Sequence, residues 1–116
     1  MNLIFYHKKR KFSVEAERKS LVGKMTGLMF RSRNTRNMLF SFGKNSKVAL
    51  HSWFVFFPFL CLWLDNKMNV VEMEVVMPFS TRIVPKNGFK HVLELPFNDD
   101  NSKIIHALVG ERFKYK

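Results

Sequence analysis

Few residues of this 116-residue chain combine the chemistry and the setting of a ligand site. Trp53 could line a pocket in which the hydroxyl of the preceding Ser52 forms hydrogen bonds. Glu94 lies between two leucines, and a carboxylate in such an apolar setting is either ion-paired or anchors a ligand. Arg31 is a candidate partner for it. We favour a structural ion pair for Glu94 and a core position for Trp53, with a pocket near these residues as the alternative.

Phosphate binding is the second chemistry that the sequence suggests. The net charge is +11, of which residues 1–47 contribute +10 (twelve Lys or Arg against two Glu) and residues 48–116 contribute +1 (eight against seven). Arginine and lysine bind phosphate oxygens, arginine often in pairs through its planar fork. The residues predicted to contact a polyanion such as nucleic acid are Lys8, Lys9, Arg10, Lys11, Arg31, Arg33 and Arg36.

The basic clusters also have a simpler interpretation. Charged runs usually form solvated loops, and no known nucleic-acid-binding motif occurs in this sequence. We favour this solvated-surface interpretation over polyanion contact. Tyr6 and Phe12 flank the first cluster, and their rings could stack on bases if nucleic acid binds there.

Catalytic and metal-binding patterns are weak. His7, His51, His91 and His106 lack the close spacing of zinc ligands, so we expect no metal and no other cofactor. Cys61 is the single cysteine, which rules out an intramolecular disulfide, and its apolar neighbours predict a buried, inert thiol. A Gly-rich phosphate loop and a Gly-x-Ser-x-Gly motif are both absent. Enzymatic activity stays open, with a non-enzymatic role favoured.

Short apolar runs between polar turns predict a mainly β fold. The predicted strands cover residues 3–6, 12–15, 37–42, 48–57, 59–64, 70–77, 81–85, 89–95 and a last strand through 113. Lys8 to Lys11 would form a basic turn in the first hairpin. The run 70–77 alternates with period two, which predicts one buried face, made of Val71, Met73, Val75 and Met77, and one wet face.

Turn and capping residues predict the remaining connections. Asn87-Gly88 is a strong tight-turn signal between two strands. Residues 16–22 could form a short helix that ends at Gly23, and residues 99–102 offer N-caps for a second helix before Gly110. The prediction is a single domain over 1–116, a small β-sandwich or partly open barrel with one or two short helices. Residues 1–13 would be a hairpin or partly disordered.

The compartment prediction rests on two apolar segments. Near the N-terminus a short apolar stretch precedes the basic run, the reverse of the order in a signal peptide. The apolar run 53–64 is shorter than the about 20 residues that a spanning helix needs, and Pro58 interrupts it. We therefore expect a cytoplasmic protein without a transmembrane segment.

Four hydrophobic phrases carry a family resemblance. They are Gly-Leu-Met-Phe-Arg (27–31), His-Ser-Trp-Phe-Val-Phe-Phe-Pro (51–58), Val-Val-Glu-Met-Glu-Val-Val-Met-Pro-Phe (70–79) and Val-Leu-Glu-Leu-Pro (92–96). In this order they resemble the domain-of-unknown-function family 192, small proteins of archaea and bacteria, over about 17–113, and 51–58 looks like the archaeal version. The resemblance implies a compact, mostly β fold and no agreed activity.

Two positions depart from the pattern of that family. Leu60 stands where the family usually carries Asp, and Gly110-Glu111 replaces the usual Gly-Asp. A polar role of the missing Asp would be lost here. The sequence as a whole predicts a non-enzymatic binding or accessory module whose basic N-terminal face contacts phosphate-bearing partners.

Overall fold

Six strands and one helix form the regular structure in a computed structural model that describes residues 1–19, 36–46, 57–78 and 88–110. These elements are β1 (Asn2–His7), β2 (Arg10–Lys19), β3 (Asn37–Ser46), β4 (Phe59–Leu64), β5 (Val70–Val76), β6 (Phe89–Pro96) and α1 (Ser102–Val109). The strands form one sheet in the order β1-β2-β3-β6-β4-β5. No helix within the described ranges is both long and apolar enough to cross a membrane.

The sheet curls until its two edge strands meet. All neighbouring strands pair antiparallel except β2 and β3, which run parallel from the pair Ala16 and Asn37. At the other side, the Tyr6 amide of β1 donates to the Met68 carbonyl before β5 at 2.9 Å, and Tyr6 bridges Asn69. The prediction of a mainly β, partly open barrel is confirmed.

The first hairpin follows from a strict alternation in β2. Phe12, Val14 and Ala16 are buried, and the residues between them are exposed. Lys8 and Lys9 have φ values of 51° and 66°, so both central positions of this two-residue turn are left-handed, as in a type I′ hairpin turn. The basic turn predicted here is confirmed.

The helix predicted over 16–22 is wrong for residues 16–19, which continue β2. Burial of Ala16 and pairing with β3 from residue 16 onwards outweigh a weak local helix preference. Residues 20–22 and Gly23, the predicted end of that helix, lie outside the described residues.

The inner face of the curled sheet holds the larger core. Phe5 and Phe12 stack there with their ring centroids 5.4 Å apart. The other buried members of this cluster are Leu3, Val14, Ala16, Leu39, Leu60, Leu62, Leu64, Leu93, Leu95, Phe97, Ile105 and Leu108. Ile105 and Leu108 come from α1, so the helix closes one side of this core.

The outer face of the sheet is also buried in its centre. Its buried cluster consists of Met38, Phe40, Phe57, Phe59, Cys61, Trp63, Val76, Phe89 and Val92. All six residues of β4 are therefore buried, three towards each cluster. This confirms the central strand predicted over 59–64, because a strand with two buried faces is apolar throughout.

The alternation predicted for β5 is only partly right. Met73 and Val75 pack on the inner core, whereas Val71 packs on the outer cluster and Met77 is 57% exposed. The pairing register shifts here, since Leu64 pairs with Val70 but Trp63 pairs with Glu72. Val71 is thus the extra residue of a β-bulge. The bulge shifts the alternation of side chains, so Val71 faces the opposite side of the sheet from Met73 and Val75.

The predicted C-terminal helix is confirmed over Ser102–Val109. Asn101 occupies the N-cap position, and Gly110 ends the helix with a φ of 89° and an amide that donates to the His106 carbonyl. The predicted strands over 48–57 (except Phe57) and 81–85, Asn87 of the tight turn, and the last strand through 113 lie outside the described residues.

Candidate functional site

The first candidate site is the end of the β1–β2 hairpin. Lys8 and Lys9 form its turn, Arg10 and Lys11 begin β2, and all four are exposed. The hydrogen bond from Tyr6 to Met68 brings the β4–β5 turn, which carries the exposed Lys67, against this hairpin. We call these five cations, Lys8, Lys9, Arg10, Lys11 and Lys67, the basic tip. The fold thus adds Lys67 to the cluster seen in the sequence.

The carboxylate nearest in sequence to Lys67 is engaged in its own turn. Asp65 Oδ1 accepts hydrogen bonds from the backbone amides of Lys67 at 2.8 Å and Asn69 at 2.9 Å. Partial burial raises the pKa of Asp65, but these hydrogen bonds and the charge of Lys67 outweigh it and lower that pKa. Burial, and then the positive charge of Lys8, lowers the pKa of His7.

The aromatic residues beside the basic tip differ in access. Phe12 is 8% exposed, stacked on Phe5, and covered by the Arg10 guanidinium 5.2 Å from its ring centroid. It is not available to stack on a base. Tyr6 is 38% exposed. Base stacking at the tip, if it occurs, is therefore left to Tyr6.

The second basic cluster lies away from the first. Arg36 is exposed beside Asn37, which pairs with Ala16, and its guanidinium is 4.0 Å from a Glu17 carboxylate oxygen. Ala16 lies six positions after Arg10 in β2, about 20 Å along an extended strand. The structure does not bring Arg36 to the basic tip. Arg31 and Arg33 lie outside the described residues.

A polar relay across β2, β3 and β6 was not found by the sequence reasoning. Arg18 donates from Nη1 to Ser41 Oγ at 2.8 Å, and Ser41 Oγ lies 2.8 Å from His91 Nδ1. Burial, followed by the charges of Arg18 and Lys90, lowers the pKa of His91, while Asp65 opposes them. No sequence signal pairs Ser41 with His91, because fifty positions separate them and only the strand register joins them.

The Ser41–His91 pair resembles a nucleophile beside its base, but its surroundings oppose that chemistry. A histidine that takes the serine proton becomes an imidazolium, which a carboxylate normally stabilises. Here Arg18 and Lys90 disfavour the positive charge on His91. The arrangement is suited to holding β2, β3 and β6 together rather than to activating Ser41.

Glu94 lies on the outer face in the middle of the sheet. It pairs with Met38 of β3 and with Cys61 of β4, and it is 8% exposed. Burial raises its pKa from 4.5 to about 8, so the carboxyl group keeps its proton at neutral pH. No cation or hydrogen-bond donor within the described ranges contacts it. The ion pair predicted with Arg31 stays a prediction, since Arg31 lies outside those ranges.

Two neighbours of Glu94 share its apolar surroundings. Trp63 Nε1 is buried and has no hydrogen-bond partner among the described residues, which is uncommon for an indole. Burial, then the charges of Glu94, Glu74 and Glu72, raises the pKa of the Cys61 thiol well above its usual value. The predicted burial of Cys61 is confirmed, and a thiol in this state is a poor nucleophile. Ser52 and Trp53, the other predicted pocket residues, lie outside the described part of the chain.

The described residues do not form a cluster of metal ligands. Among the described residues, no group of three or more His, Cys, Asp or Glu side chains lies close enough to hold an ion.

Asp99 and Asp100, which were predicted as helix caps, precede α1, but their side chains form no cap hydrogen bond. Instead, the Asp99 carbonyl accepts from Ser102.

A network of buried amides attaches α1 to the barrel. Asn101 donates from Nδ2 to Asn37 Oδ1 and to the Pro96 carbonyl, both at 2.7 Å. Asn37 donates in turn to the Glu15 carbonyl at 2.8 Å, and Asn98 Oδ1 accepts from the Asn101 amide at 3.0 Å. The three asparagines are 4–8% exposed. The N-terminus of α1 is thereby tied to β2, β3 and β6.

Comparison with protein families identifies the relatives of this chain. The profile of DUF192, described as "Uncharacterized ACR", matches residues 4–105. The chain belongs to the DUF192 family. The match begins at residue 4 rather than near 17, so the DUF192 domain includes the hairpin that carries the basic tip. No protein of curated function matches the chain significantly.

Two solved structures share this fold. One is a proposed transcription regulator from Sinorhizobium meliloti 1021, with a TM-score of 0.72, 21% identity, and coverage of 87% of this chain and 81% of that one. The other is a protein of unknown function from Novosphingobium aromaticivorans DSM 12444, with a TM-score of 0.70, 14% identity, and coverage of 87% and 74%. At these identities the likeness concerns the fold alone.

The structure places Leu60, where this DUF192 member departs from the family pattern, in the inner core. Leu60 is fully buried on the inner face, where it pairs with Leu95 of β6 and Val75 of β5. A carboxylate at this position would lie inside the barrel and would need a buried partner. In this chain the position is part of the apolar core instead.

Proposed function

We propose that this protein is a non-enzymatic binding module that contacts a phosphate-bearing partner, in first place nucleic acid, through its basic tip. The observation that carries the proposal is a group of four exposed cations at the end of the β1–β2 hairpin, Lys8, Lys9, Arg10 and Lys11. The β4–β5 turn with the exposed Lys67 lies against this hairpin, because its Met68 carbonyl accepts from the Tyr6 amide of β1. The neighbouring acid, Asp65, is hydrogen-bonded within its own turn. The tip therefore offers a concentrated positive charge at the end of the β1–β2 hairpin.

Counterion release sets the size of the expected effect. Each phosphate that a cation neutralises contributes about −0.9 to the slope of log K against log salt on duplex DNA. Five contacts would give a slope of about −4.5, so affinity would fall about 500-fold between 50 and 200 mM salt. This steepness distinguishes the tip from a site that recognises its ligand mainly by shape.

The likeness to a proposed transcription regulator makes duplex DNA a reasonable first probe. The absence of a known base-reading motif in the sequence favours contact with the phosphate backbone over readout of particular bases. We therefore expect weak sequence preference. Tyr6 is placed to add stacking with an unpaired base, which would favour single strands.

The test is fluorescence anisotropy of labelled duplex DNA and single-stranded RNA at two salt concentrations. The variant Lys8→Asn/Lys9→Gly removes two charges and supplies Asn-Gly, the pair that a type I′ turn prefers, so the hairpin should persist. We expect the salt slope to become about 2 units shallower. The matched control is Arg36→Gln/Lys103→Gln, which removes the same charge away from the tip and should change the slope little.

Two outcomes would overturn the proposal. The first is no binding by the unaltered protein at low salt. The second is an equal loss of binding in both double variants, which would mean that net charge rather than the basic tip attracts the polymer.

A second candidate function is supported by Glu94. A protonated acid without a partner among the described residues could anchor a small ligand in the pocket predicted near Trp53 and Arg31. In that case Glu94→Gln or Trp53→Ala would abolish ligand binding with little salt dependence, and Lys8→Asn/Lys9→Gly would leave it unchanged. Calorimetry on the three variants separates the two functions.

A further inference from the structure

A cleft separates the edge of the barrel from the start of α1. It has a volume of about 540 Å³, and its walls include Val14 and Ala16 of β2, Asn37 of β3, and Asn101 and Ile104 beside and within α1. Pockets that bind small molecules usually measure about 300–1,000 Å³. The cleft thus has the size of a small-molecule site, and it belongs neither to the basic tip nor to the surroundings of Glu94.

The floor of the cleft presents an unused hydrogen-bond acceptor. Asn101 is 4% exposed, and its side-chain amide hydrogens go to Asn37 Oδ1 and the Pro96 carbonyl. No donor from the described residues reaches Asn101 Oδ1. Because Asn101 lines the cleft, this oxygen is an acceptor available to a bound molecule. A ligand donor placed there would add a hydrogen bond that the described residues do not supply.

The second floor residue supplies the complementary group. Asn37 uses one amide hydrogen on the Glu15 carbonyl at 2.8 Å, which leaves the second hydrogen of the same amide. One acceptor and one donor thus lie side by side on the floor, joined by the 2.7 Å hydrogen bond between the two asparagines. A ligand that both donates and accepts hydrogen bonds satisfies the pair.

Charges of both signs line the rim of the cleft. Arg36, Lys103 and the N-terminal ammonium of Met1 are its cations, and Glu15 and Asp100 are its acids. The Met1 ammonium lies 3.9 Å from a Glu15 carboxylate oxygen, so Glu15 already has a cation beside it. Arg36 and Lys103 together with Asp100 match a molecule that carries a carboxylate and an ammonium group.

We propose that this cleft binds a zwitterionic small molecule of the amino-acid or short-peptide class. The carboxylate of the ligand pairs with Arg36 or Lys103, and its ammonium group pairs with Asp100. The polar atoms of Asn37 and Asn101 hydrogen-bond the middle of the ligand, and Val14, Ala16 and Ile104 receive its apolar part. The site stands on different residues from the basic tip, so either can be correct without the other.

The experiment is titration of the ¹⁵N-labelled full chain with the free L-amino acids and with alanine-containing dipeptides, each to about 10 mM. The side-chain amide signals of Asn37 and Asn101 report directly on the floor of the cleft. We expect at least one probe to shift both signals with saturation. Its N-acetylated, C-amidated analogue lacks both charges and should bind at least about tenfold more weakly.

Two exposed rim positions supply variants that leave the buried network intact. Arg36→Gln and Asp100→Asn should each weaken the bound probe about tenfold, whereas Lys8→Asn/Lys9→Gly should not change its affinity. The proposal is overturned if no zwitterion shifts the amide signals, or if the capped analogue binds as tightly as the charged one. It is equally overturned if both rim variants bind unchanged. Loss of nucleic-acid binding bears only on the basic tip.

Discussion

Two regions of this protein bury polar side chains, and they differ in whether those side chains form hydrogen bonds. Asn37, Asn98 and Asn101 lie under the start of α1 and exchange hydrogen bonds with one another and with backbone carbonyls. Glu94 and Trp63 lie in the outer face of the sheet, where among described residues neither side chain has a hydrogen-bond partner. The first region links α1 to the strands of the barrel. The second lowers the stability of the sheet, because its polar groups are buried without partners among the described residues.

The difference follows from the chemistry of the side chains. An amide is neutral and carries donors and an acceptor at once, so three asparagines can satisfy one another where water is excluded. A carboxylate offers acceptors only, and in the absence of a cation it becomes neutral by retaining its proton. Buried amides therefore build architecture at any pH, while the state of a buried acid depends on pH.

The largest effect that would test this comparison concerns Glu94. The carboxyl ionises near 4.5 in the unfolded chain but near 8 in the folded one, so stability should fall as the pH rises from about 4.5 to 8 and then level off. The difference corresponds to on the order of 5 kcal/mol. Glu94→Gln should remove this fall, and urea unfolding at pH 5, 7 and 9 measures it.

The matched control for that variant is Glu74, which lies two strands away on the other side of β4. Cys61 pairs with Glu94 on one side and with Glu74, which is exposed, on the other. Glu74→Gln should change the free energy of unfolding by less than about 0.5 kcal/mol. A fall of stability above pH 5 that persists in Glu94→Gln would show that another group retains the proton.

The next effect in size concerns the amide network. Asn101→Ala removes both hydrogen bonds from Nδ2 and leaves Asn37 Oδ1 and the Pro96 carbonyl without this donor. We expect a loss of about 2–4 kcal/mol that does not vary with pH. Ser102→Ala, which removes one exposed hydrogen bond to the Asp99 carbonyl, is the control and should cost below about 1 kcal/mol. An equal loss in both variants would contradict the importance of the network.

A smaller change in stability is expected from substitution of Trp63. Trp63→Phe leaves space in the outer cluster, which destabilises the protein. It also removes a buried N–H that has no partner among the described residues, which stabilises it. We expect the two effects to cancel to within about 1 kcal/mol in chemical denaturation. A loss of about 3 kcal/mol or more would mean that Nε1 has a hydrogen-bond partner in solution.

The smallest effect belongs to His91. Its pKa is lowered by burial and then by Arg18 and Lys90, so the unfolded chain binds a proton before the folded one does. The contribution of His91 to stability should be constant above pH 6.5 and should decrease as the pH falls below 6.5. Glu94 acts in the opposite direction over the same pH range, so the effect of His91→Gln is measured in the Glu94→Gln background. There His91→Gln should reduce the acid sensitivity in thermal melts, and His7, whose pKa is lowered likewise, should contribute to the remainder.

The sequence was a good guide where structure is local. The turn at Lys8 and Lys9, the central strand 59–64 and the helix before Gly110 were all predicted, because each depends on neighbouring residues. The helix over 16–22 was mispredicted because the partner of β2 begins at Asn37, which no local pattern reveals. The bulge at Val71 escaped for the same reason.

The candidate sites were less predictable than the strands. The cations of the first cluster are visible in the sequence, but Lys67 joins them only through the contact of the β4–β5 turn with β1. The floor of the cleft joins Asn37 to Asn101, which are 64 positions apart, and asparagine is too common in loops to suggest such a pair. Buried polar pairs of this kind are fixed by register and helix docking, which a single sequence does not display.

The parallel pairing of β2 with β3 has a consequence for the order of folding. The hairpins β1–β2 and β4–β5 close short loops and can form early, but β3 lies between β2 and β6, and its partner His91 is fifty positions from Ser41. Closing long loops costs chain entropy before any contact repays it. We therefore expect two preformed hairpins to wait for β3, whose insertion would be the slow step that completes the barrel.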